Sequence, residues 1–495
     1  MDFNWLTWII FLPVVGAVVI AIIPGLSSRA IKWLAVIFTA VPFALSIYLF
    51  AIFDKTAIGA IQFEEKVSWI PAINAHYHVG VDGISLPLVV LMAFLGILVV
   101  LISWKINLRP REYFAWLLLL ETSILGVFTS LDLLLFFLFW EIEVIPMYFL
   151  ISIWGAGRKE YSAIKYVIYT LFGGAFMLSG ILSLYFTTGS LNMVEIAQGG
   201  LAMVQSIMPA TGLFVLLIIG FAIKLPVFPL HTWLPDAHTD APTAVSVVLA
   251  GALLKMGGYG MIRVCVSILP DVAKTFAPLM MILAVIGVLY GAAVTLRQTD
   301  IKRLIAYSSV SHMGYVLLGI FALGQVSLVG ASLQMFSHGV ITGLLFAMAG
   351  VVMHNVEERD ISKLGGLARQ IPIIAVFFSL AGLASLGLPL TSGFAAEFLV
   401  FVGSFSSTTV AGVQVYTILA VLGVVVTAGY ILWMLQRVFY GPVLEQYNGV
   451  PDADVLERIY MGAFVAVIIL IGIRPDILTN VITTGIMPVV QLLGG

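Results

Sequence analysis

Apolar residues run along this chain in blocks of about 20, the length that lets a helix cross a hydrocarbon core. Short polar stretches separate the blocks. The pattern predicts fourteen spanning helices, over residues 3–24, 30–52, 84–104, 112–130, 133–154, 162–186, 211–229, 242–266, 276–296, 302–323, 329–353, 372–404, 411–439 and 459–480. The longest loop, Asp54 to Asp82, precedes the third span and holds His76 and His78. Two spans do not read as one continuous helix. The seventh is interrupted by Pro226 and Pro229, and a short loop with His231, Asp236, His238 and Asp240 leads on to the eighth. The twelfth is too long for one crossing and contains LGLPLTSG, Leu386 to Gly393. Proline removes a helix hydrogen bond, and irregular backbone at membrane depth is tolerated only where protein buries it or it lines a cavity. The expected fold is an all-α polytopic membrane protein with broken helices 7 and 12.

The polar punctuation also predicts orientation. Of 23 basic residues, 16 fall in the loops after odd-numbered spans, from Arg29 and Lys32 to Arg437 and Arg458. Lys55, Lys66, Arg263, Lys274 and Arg474 lie on the other side, and Lys224 and Lys255 lie inside helices. Positive residues collect on the cytoplasmic side, so both termini are expected on the far side. The broken helices are five spans apart and so run in opposite directions. Such a pair is the sequence pointer to an inverted-repeat transporter. The expected units are 112–270 (helices 4–8) and 271–442 (helices 9–13), with a three-helix segment 1–111 before them and a last helix in 443–495.

Composition agrees. The 495 residues are 61% hydrophobic and 10% charged, against about 25% charged in an average soluble domain. A net charge of −2 carries no nucleic-acid signal, and a single cysteine, Cys265, excludes an internal disulfide and a cysteine-ligated cluster. The first apolar block lacks a basic lead and a small-residue cleavage site, so it reads as a retained helix.

Against this background the ionisable residues inside the spans stand out, because charges in lipid are costly and mark proton or ion paths. Glu141 on helix 5 and Lys224 on helix 7 enter from the same face to similar depth and are expected to pair. Burial disfavours the ammonium and a nearby carboxylate favours it, so a lysine balanced between the two can gain and lose a proton. Lys255 lies deep in helix 8 among glycines. His312 and His338 lie in the middle of helices 10 and 11 among serines, and imidazole passes protons near neutral pH. Glu397, unpaired, follows the break in helix 12 as an acceptor or release group. Glu143 is expected to face away from Glu141, and Glu121 lies inside helix 4; each either tunes the pair or is simply hydrogen-bonded. His231, Asp236, His238 and Asp240 resemble metal ligands in type, but their spacing is not a firm ligand pattern. They read instead as a polar proton-entry mouth.

At these residues the chain resembles a known family. FWE (Phe139 to Glu141), KLPVFPLHTWLPDAHTDAPTAVSVVLAG (Lys224 to Gly251), LLKMGGYG (Leu253 to Gly260), IKRLIAYSSVSHMGY (Ile301 to Tyr315) and the SHG at Ser337 are similar to the antiporter-like membrane subunits of respiratory complex I, the proton-pumping NADH:quinone oxidoreductase. VDGISLPLVVL (Val81 to Leu91), Glu397 where the L- and N-type subunits carry lysine, and no long amphipathic C-terminal extension resemble the subunit M, or mitochondrial chain 4, branch. The resemblance implies a multi-pass protein of the bacterial inner membrane. It makes Lys224 an input group partnered by Glu141, places Lys255, His312 and His338 on a hydrated axis, and makes Glu397 the terminal group. It implies no cofactor in this chain, with NADH, FMN, iron–sulfur clusters and quinone in other subunits. The implied partners are L-type, N-type and small membrane subunits, the hydrophilic redox arm and the bilayer. The alternatives under the same resemblance are a subunit of a multi-subunit Na+/H+ antiporter and one of a membrane-bound hydrogenase.

Overall fold

The computed structural model describes residues 4–199 and 208–494. The two chain ends, including residue 3 of the first expected span, lie outside the described residues. The helices before the first break are α1 (Trp5–Ile22), α2 (Ser28–Ile52), α3 (Ser85–Ile102), α4 (Pro110–Thr129), α5 (Leu133–Ile142), α6 (Val144–Trp154), α7 (Lys159–Thr188), α8 (Met193–Gly199) and α9 (Ala210–Lys224). After it come α10 (Trp233–Asp240), α11 (Thr243–Val248), α12 (Leu254–Gly260), α13 (Pro270–Thr295), α14 (Ile301–Phe321), α15 (Gln325–Val356), α16 (Pro372–Ser385), α17 (Ser392–Ser406), α18 (Val413–Val438), α19 (Val455–Ile473) and α20 (Asp476–Leu492). Among the described residues, twelve helical stretches are long and apolar enough to cross a membrane. The two further crossings are the broken ones, α9 with α10 and α16 with α17, whose halves are too short to cross alone. The fourteen expected spans are all present, and the protein is a multi-pass integral membrane protein.

Both breaks follow from local chemistry. Pro226 and Pro229 cannot donate along a helix, and α9 stops at Lys224. Trp233 restores one lost bond by donating from Nε1 to the Ile223 carbonyl at 2.9 Å. The second break has Gly387 and Leu390 in left-handed conformations, at φ 78° and 72°, around Pro389. The fifth span is divided too. Pro146 cannot donate to the Ile142 carbonyl, so α5 ends at Ile142 and Glu143 sits in the turn before α6.

The core lies in a few spans. The stretch Thr243–Val266 is buried except at Thr243 and Arg263, and α14 and α15 are nearly so. Helices α1, α2, α7, α18 and α19 form the outer layer, with apolar side chains facing outward. The buried stretch is not a regular α-helix. Leu249–Leu253 and Met261–Val266 are π-helical on either side of α12, and π turns gather at functional sites because they re-aim side chains and carbonyls.

Three expectations need correction. The loop Asp54 to Asp82 contains an antiparallel hairpin, β1 (Gln62–Ile70) and β2 (Ala75–Val81), with Lys66 opposite His78 and Ser68 opposite His76. It is held down by Glu65, which accepts the Leu6 amide at 2.7 Å, and by Asp132, which accepts the His76 amide at 3.0 Å while capping α5. β1, QFEEKVSWI, is largely polar and exposed and carries no apolar block or regular alternation. The segment between the seventh break and the eighth span is not a loop, since α10 is helical through His238 and Asp240. The last span ends at Ile473 rather than near residue 480. Pro475 stops it, and α20 turns back along the face that carries the hairpin.

Helix α20 is seated by close backbone approach. A Cβ on Gly83 would strike the Val481 carbonyl, and one on Gly485 would strike the Ile84 amide. The Gly59 amide also donates to the Thr484 carbonyl at 3.0 Å. Gly485→Val is therefore expected to destabilise this seat by about 1–3 kcal/mol, the usual cost of overpacking. The readout is faster protease cleavage within α20 in intact membranes, with the spans untouched.

Candidate functional site: a buried row of titratable groups

The row begins at the first break. On α5, Phe136, Trp140 and Glu143 follow at intervals of four and three, so they share one helix face. That face meets α9, where Phe221 and Lys224 are also three apart. The Phe136 and Phe221 rings are 6.2 Å apart and the Trp140 and Phe221 rings 5.6 Å. Glu143 is thereby carried to Lys224, and the two form a fully buried ion pair. Tyr166 of α7 donates to the other carboxylate oxygen of Glu143 and lies 3.3 Å from the lysine Nζ. The Nζ also sits 5.4 Å from the centroids of both the Trp140 and Tyr166 rings, a geometry that favours a cation. Lys224 is the last residue of α9, so the negative end of that half-helix faces it as well.

This pairing corrects the expected one. Lys224 bonds Glu143, not Glu141; the two carboxylates do face different sides, as expected, but it is Glu143 that faces the lysine. Glu141 lies one residue past Trp140 and points toward α7, where Gly174 leaves room for its carboxylate. Its Oε1 is buried without a hydrogen-bond partner. Which face of helix 5 meets helix 7 is set by packing, and the two carboxylates are equally buried in sequence terms.

The centre of the row is Lys255. Its Nζ donates to the Ala250 carbonyl, in the π-helical turn, and lies 2.8 Å from His338 Nδ1. The His338 and His312 rings are 5.6 Å apart. His312 Nδ1 lies 2.7 Å from the Ser308 carbonyl, and Nε2 lies 2.9 Å from the Ser385 carbonyl. Ser308 lies inside α14, where its carbonyl already serves the helix, and a neutral imidazole donates from one nitrogen only. Glu397, expected to be unpaired, lies beside this ring, with Oε1 3.5 Å from His312 Nε2. Ser385 is the last residue of α16, so the second break, like the first, aims a half-helix carbonyl end at a proton-holding group.

Of the remaining expected residues, His238 lies within electrostatic reach of Lys255 and His338, and the others lie apart from the row. Glu121 on α4 is buried against Gly96 of α3, with Oε1 unpartnered. Asp236 pairs with Lys165 at 2.7 Å and approaches Arg303 at 3.7 Å. His231 is buried and stacks on Phe228. His238 points inward, stacked on Phe346 with centroids 4.4 Å apart, and both its ring nitrogens are unpartnered. These side chains do not converge on one mouth as expected, because helical α10 sends them in different directions. Among the described residues no three His, Cys, Asp or Glu side chains converge on a metal position. Tyr166 and Trp140 were missed, since nothing in sequence separates a lysine-facing ring from an ordinary packed one.

Removing one partner of a buried ion pair costs about 3–5 kcal/mol, because the other charge is left alone. Glu143→Gln and Lys224→Gln are each expected to lower the thermal stability of the purified assembly. The double variant should recover most of the loss. The same cycle with Glu141→Gln should show weaker coupling, because Glu141 acts on the lysine from a distance, and stronger coupling there than at Glu143 would reverse the assignment.

A family model described as NADH:quinone oxidoreductase/Mrp antiporter, transmembrane region, matches residues 130–423. An NAD(P)H-quinone oxidoreductase chain 4 of Synechococcus elongatus is 41% identical over 486 aligned positions, 97% of this chain and 90% of that one. NADH-quinone oxidoreductase subunit M of Rhodobacter capsulatus is 39% identical over 504 aligned positions, 99% of this chain and 96% of the relative. A chain in the solved structure of respiratory complex I from Thermus thermophilus with bound NADH matches with a TM-score of 0.88 at 28% identity, covering 99% of this chain and all of that one. The chain therefore belongs to the NADH:quinone oxidoreductase/Mrp antiporter family, on the branch of its chain 4 and subunit M members.

Proposed function

We propose that the row Glu143–Lys224, Lys255, His338, His312 and Glu397 is the proton relay of a proton-translocating membrane-arm subunit of an NADH:quinone oxidoreductase, complex I. The observation that carries the reading is the row itself. Six buried titratable side chains run from one broken helix to the other, and each break turns a carbonyl end toward a group that can hold a proton.

The relay needs a change of state at Lys224. Moving one charge against 100 mV costs about 2.3 kcal/mol, less than the about 3–5 kcal/mol at stake when a buried pair loses a partner. Redox energy from the other subunits that loosens the Glu143 contact is enough to release the lysine proton. Glu141, within electrostatic reach of Lys224, is the second carboxylate toward which the ammonium can shift. The proton then passes by Lys255 Nζ, His338 and His312 to Glu397.

NADH, FMN, iron–sulfur and quinone chemistry belong, in this reading, to other subunits, with L- and N-type membrane subunits as neighbours. The halves 112–270 and 271–442 act as inverted repeats around the relay. The basic side, with Lys165, Arg303 and Arg359, faces the cytoplasm of a bacterial inner membrane, and the hairpin face and both termini lie on the far side.

The test uses the complete complex in proteoliposomes. Lys224→Ala and Glu397→Gln should each lower the protons moved per electron pair while the complex still assembles. Unchanged proton stoichiometry in both variants would overturn the relay. Loss of pumping only with sodium present would favour the antiporter reading instead.

A further inference from the structure

Helices α1 and α4 pack side by side and run in opposite directions. Both have their polar ends on the basic side. Lys32, near the start of α2, donates to the Asn107 side chain at 3.3 Å, and Trp154 Nε1 donates to the Leu108 carbonyl at 2.7 Å. Helix α1 ends just before these contacts and α4 begins just after them, at Pro110.

Between the two helices lies an outward-facing groove of about 420 Å³. Ala17, Ala21 and Ala115 keep it open, and Val14 and Leu119 lie at its deep end. Trp116 gives it a fixed wall, its ring stacked on Phe149 with centroids 4.8 Å apart. The lining is apolar except at the basic-side end, where Arg111 and Glu112 stand. From Arg111 to Leu119 the helix rises about 12 Å at about 1.5 Å per residue. One leaflet is half of a hydrocarbon core of about 30 Å. The groove therefore runs from the polar edge of one leaflet nearly to the midplane, the path of a single acyl chain.

The polar end carries an excess of positive charge. Glu112 is engaged by Arg109 at 3.5 Å. Arg111 has no ion pair or hydrogen bond among the described residues. A guanidinium offers paired N–H donors that match the oxygens of a phosphate, and anionic headgroups gather basic side chains at the membrane edge.

We propose that this groove binds one anionic phospholipid of the basic-side leaflet, with an acyl chain between α1 and α4 and the headgroup phosphate on Arg111. A zwitterionic lipid fills the same groove but leaves the excess positive charge uncompensated, so selection lies at the headgroup. None of these residues belongs to the titratable row, and the site stands independently of what the row carries.

The test labels the complete complex in proteoliposomes with phosphatidylglycerol bearing a diazirine on one acyl chain, and in parallel with phosphatidylcholine bearing the same group. Peptides covering residues 14–21 and 111–119 are expected to take up the phosphatidylglycerol probe about fivefold more, the usual weight of one basic residue at an anionic surface. Arg111→Gln should bring the two probes to parity, and Arg111→Lys should keep most of the preference. Ala21→Leu, at an exposed position in the groove, should lower labelling by both. If Arg111→Gln fails to assemble, excess unlabelled phosphatidylglycerol should displace the probe from the wild type where phosphatidylcholine does not, and equal displacement by the two overturns the site. Equal labelling of the wild type by both probes overturns it in favour of ordinary surrounding lipid. No label from either probe means that a neighbouring subunit covers the groove, and overturns it as well.

Discussion

An ammonium group at membrane depth must be compensated by the protein, because lipid gives it nothing. At Lys224 the compensation comes from four directions: the Glu143 carboxylate, the Tyr166 hydroxyl, two aromatic faces, and the carbonyl end of a helix that stops at the lysine itself. None of these can be moved far without leaving a buried charge alone. The broken seventh helix, the divided fifth helix and the packing of α7 against both read as consequences of that requirement. Proline makes the division possible in each case, by withholding a donor at Pro226, Pro229 and Pro146.

The second half of the protein answers the same constraint with a weaker base. His312 takes the place of the lysine, two backbone carbonyls take the place of the hydroxyl and rings, and Glu397 is the carboxyl group beside it. Between the two, Lys255 is bonded to a backbone carbonyl and a neutral acceptor, with no carboxylate in contact. It is therefore the member of the row least committed to its charge, which suits a group that hands protons between two better-compensated sites. The π-helical turn before α12 supplies the carbonyl that it uses.

The outer elements hold this row in register. The β-hairpin is pinned to α1 and α5 through Glu65 and Asp132, and α20 is seated on Gly83. On the basic side, Asp236 and Asp300 join α7, α10, α14 and the segment after α15 by ion pairs with Lys165, Arg303 and Arg359. These contacts sit at the ends of the spans, and the buried middle is left to the row of titratable groups.

The fourteen crossings, the two interrupted helices and the buried ionisable positions Lys224, Lys255, His312, His338 and Glu397 were legible in the sequence alone. Each rests on a local property: the length of an apolar block, a proline where a donor is needed, an ionisable side chain where lipid excludes one. The partner of Lys224 was not determined locally. Glu141 and Glu143 are two residues apart on one apolar helix, and only the packing of Phe136 and Trp140 on Phe221 turns one toward the lysine and the other toward Gly174. The hairpin, the return of α20 and the inward aim of His238 were likewise decided by packing. Apolar pattern says how deep a side chain lies in the membrane. The direction it points depends on helices far away in sequence, and so it appears only in the tertiary structure.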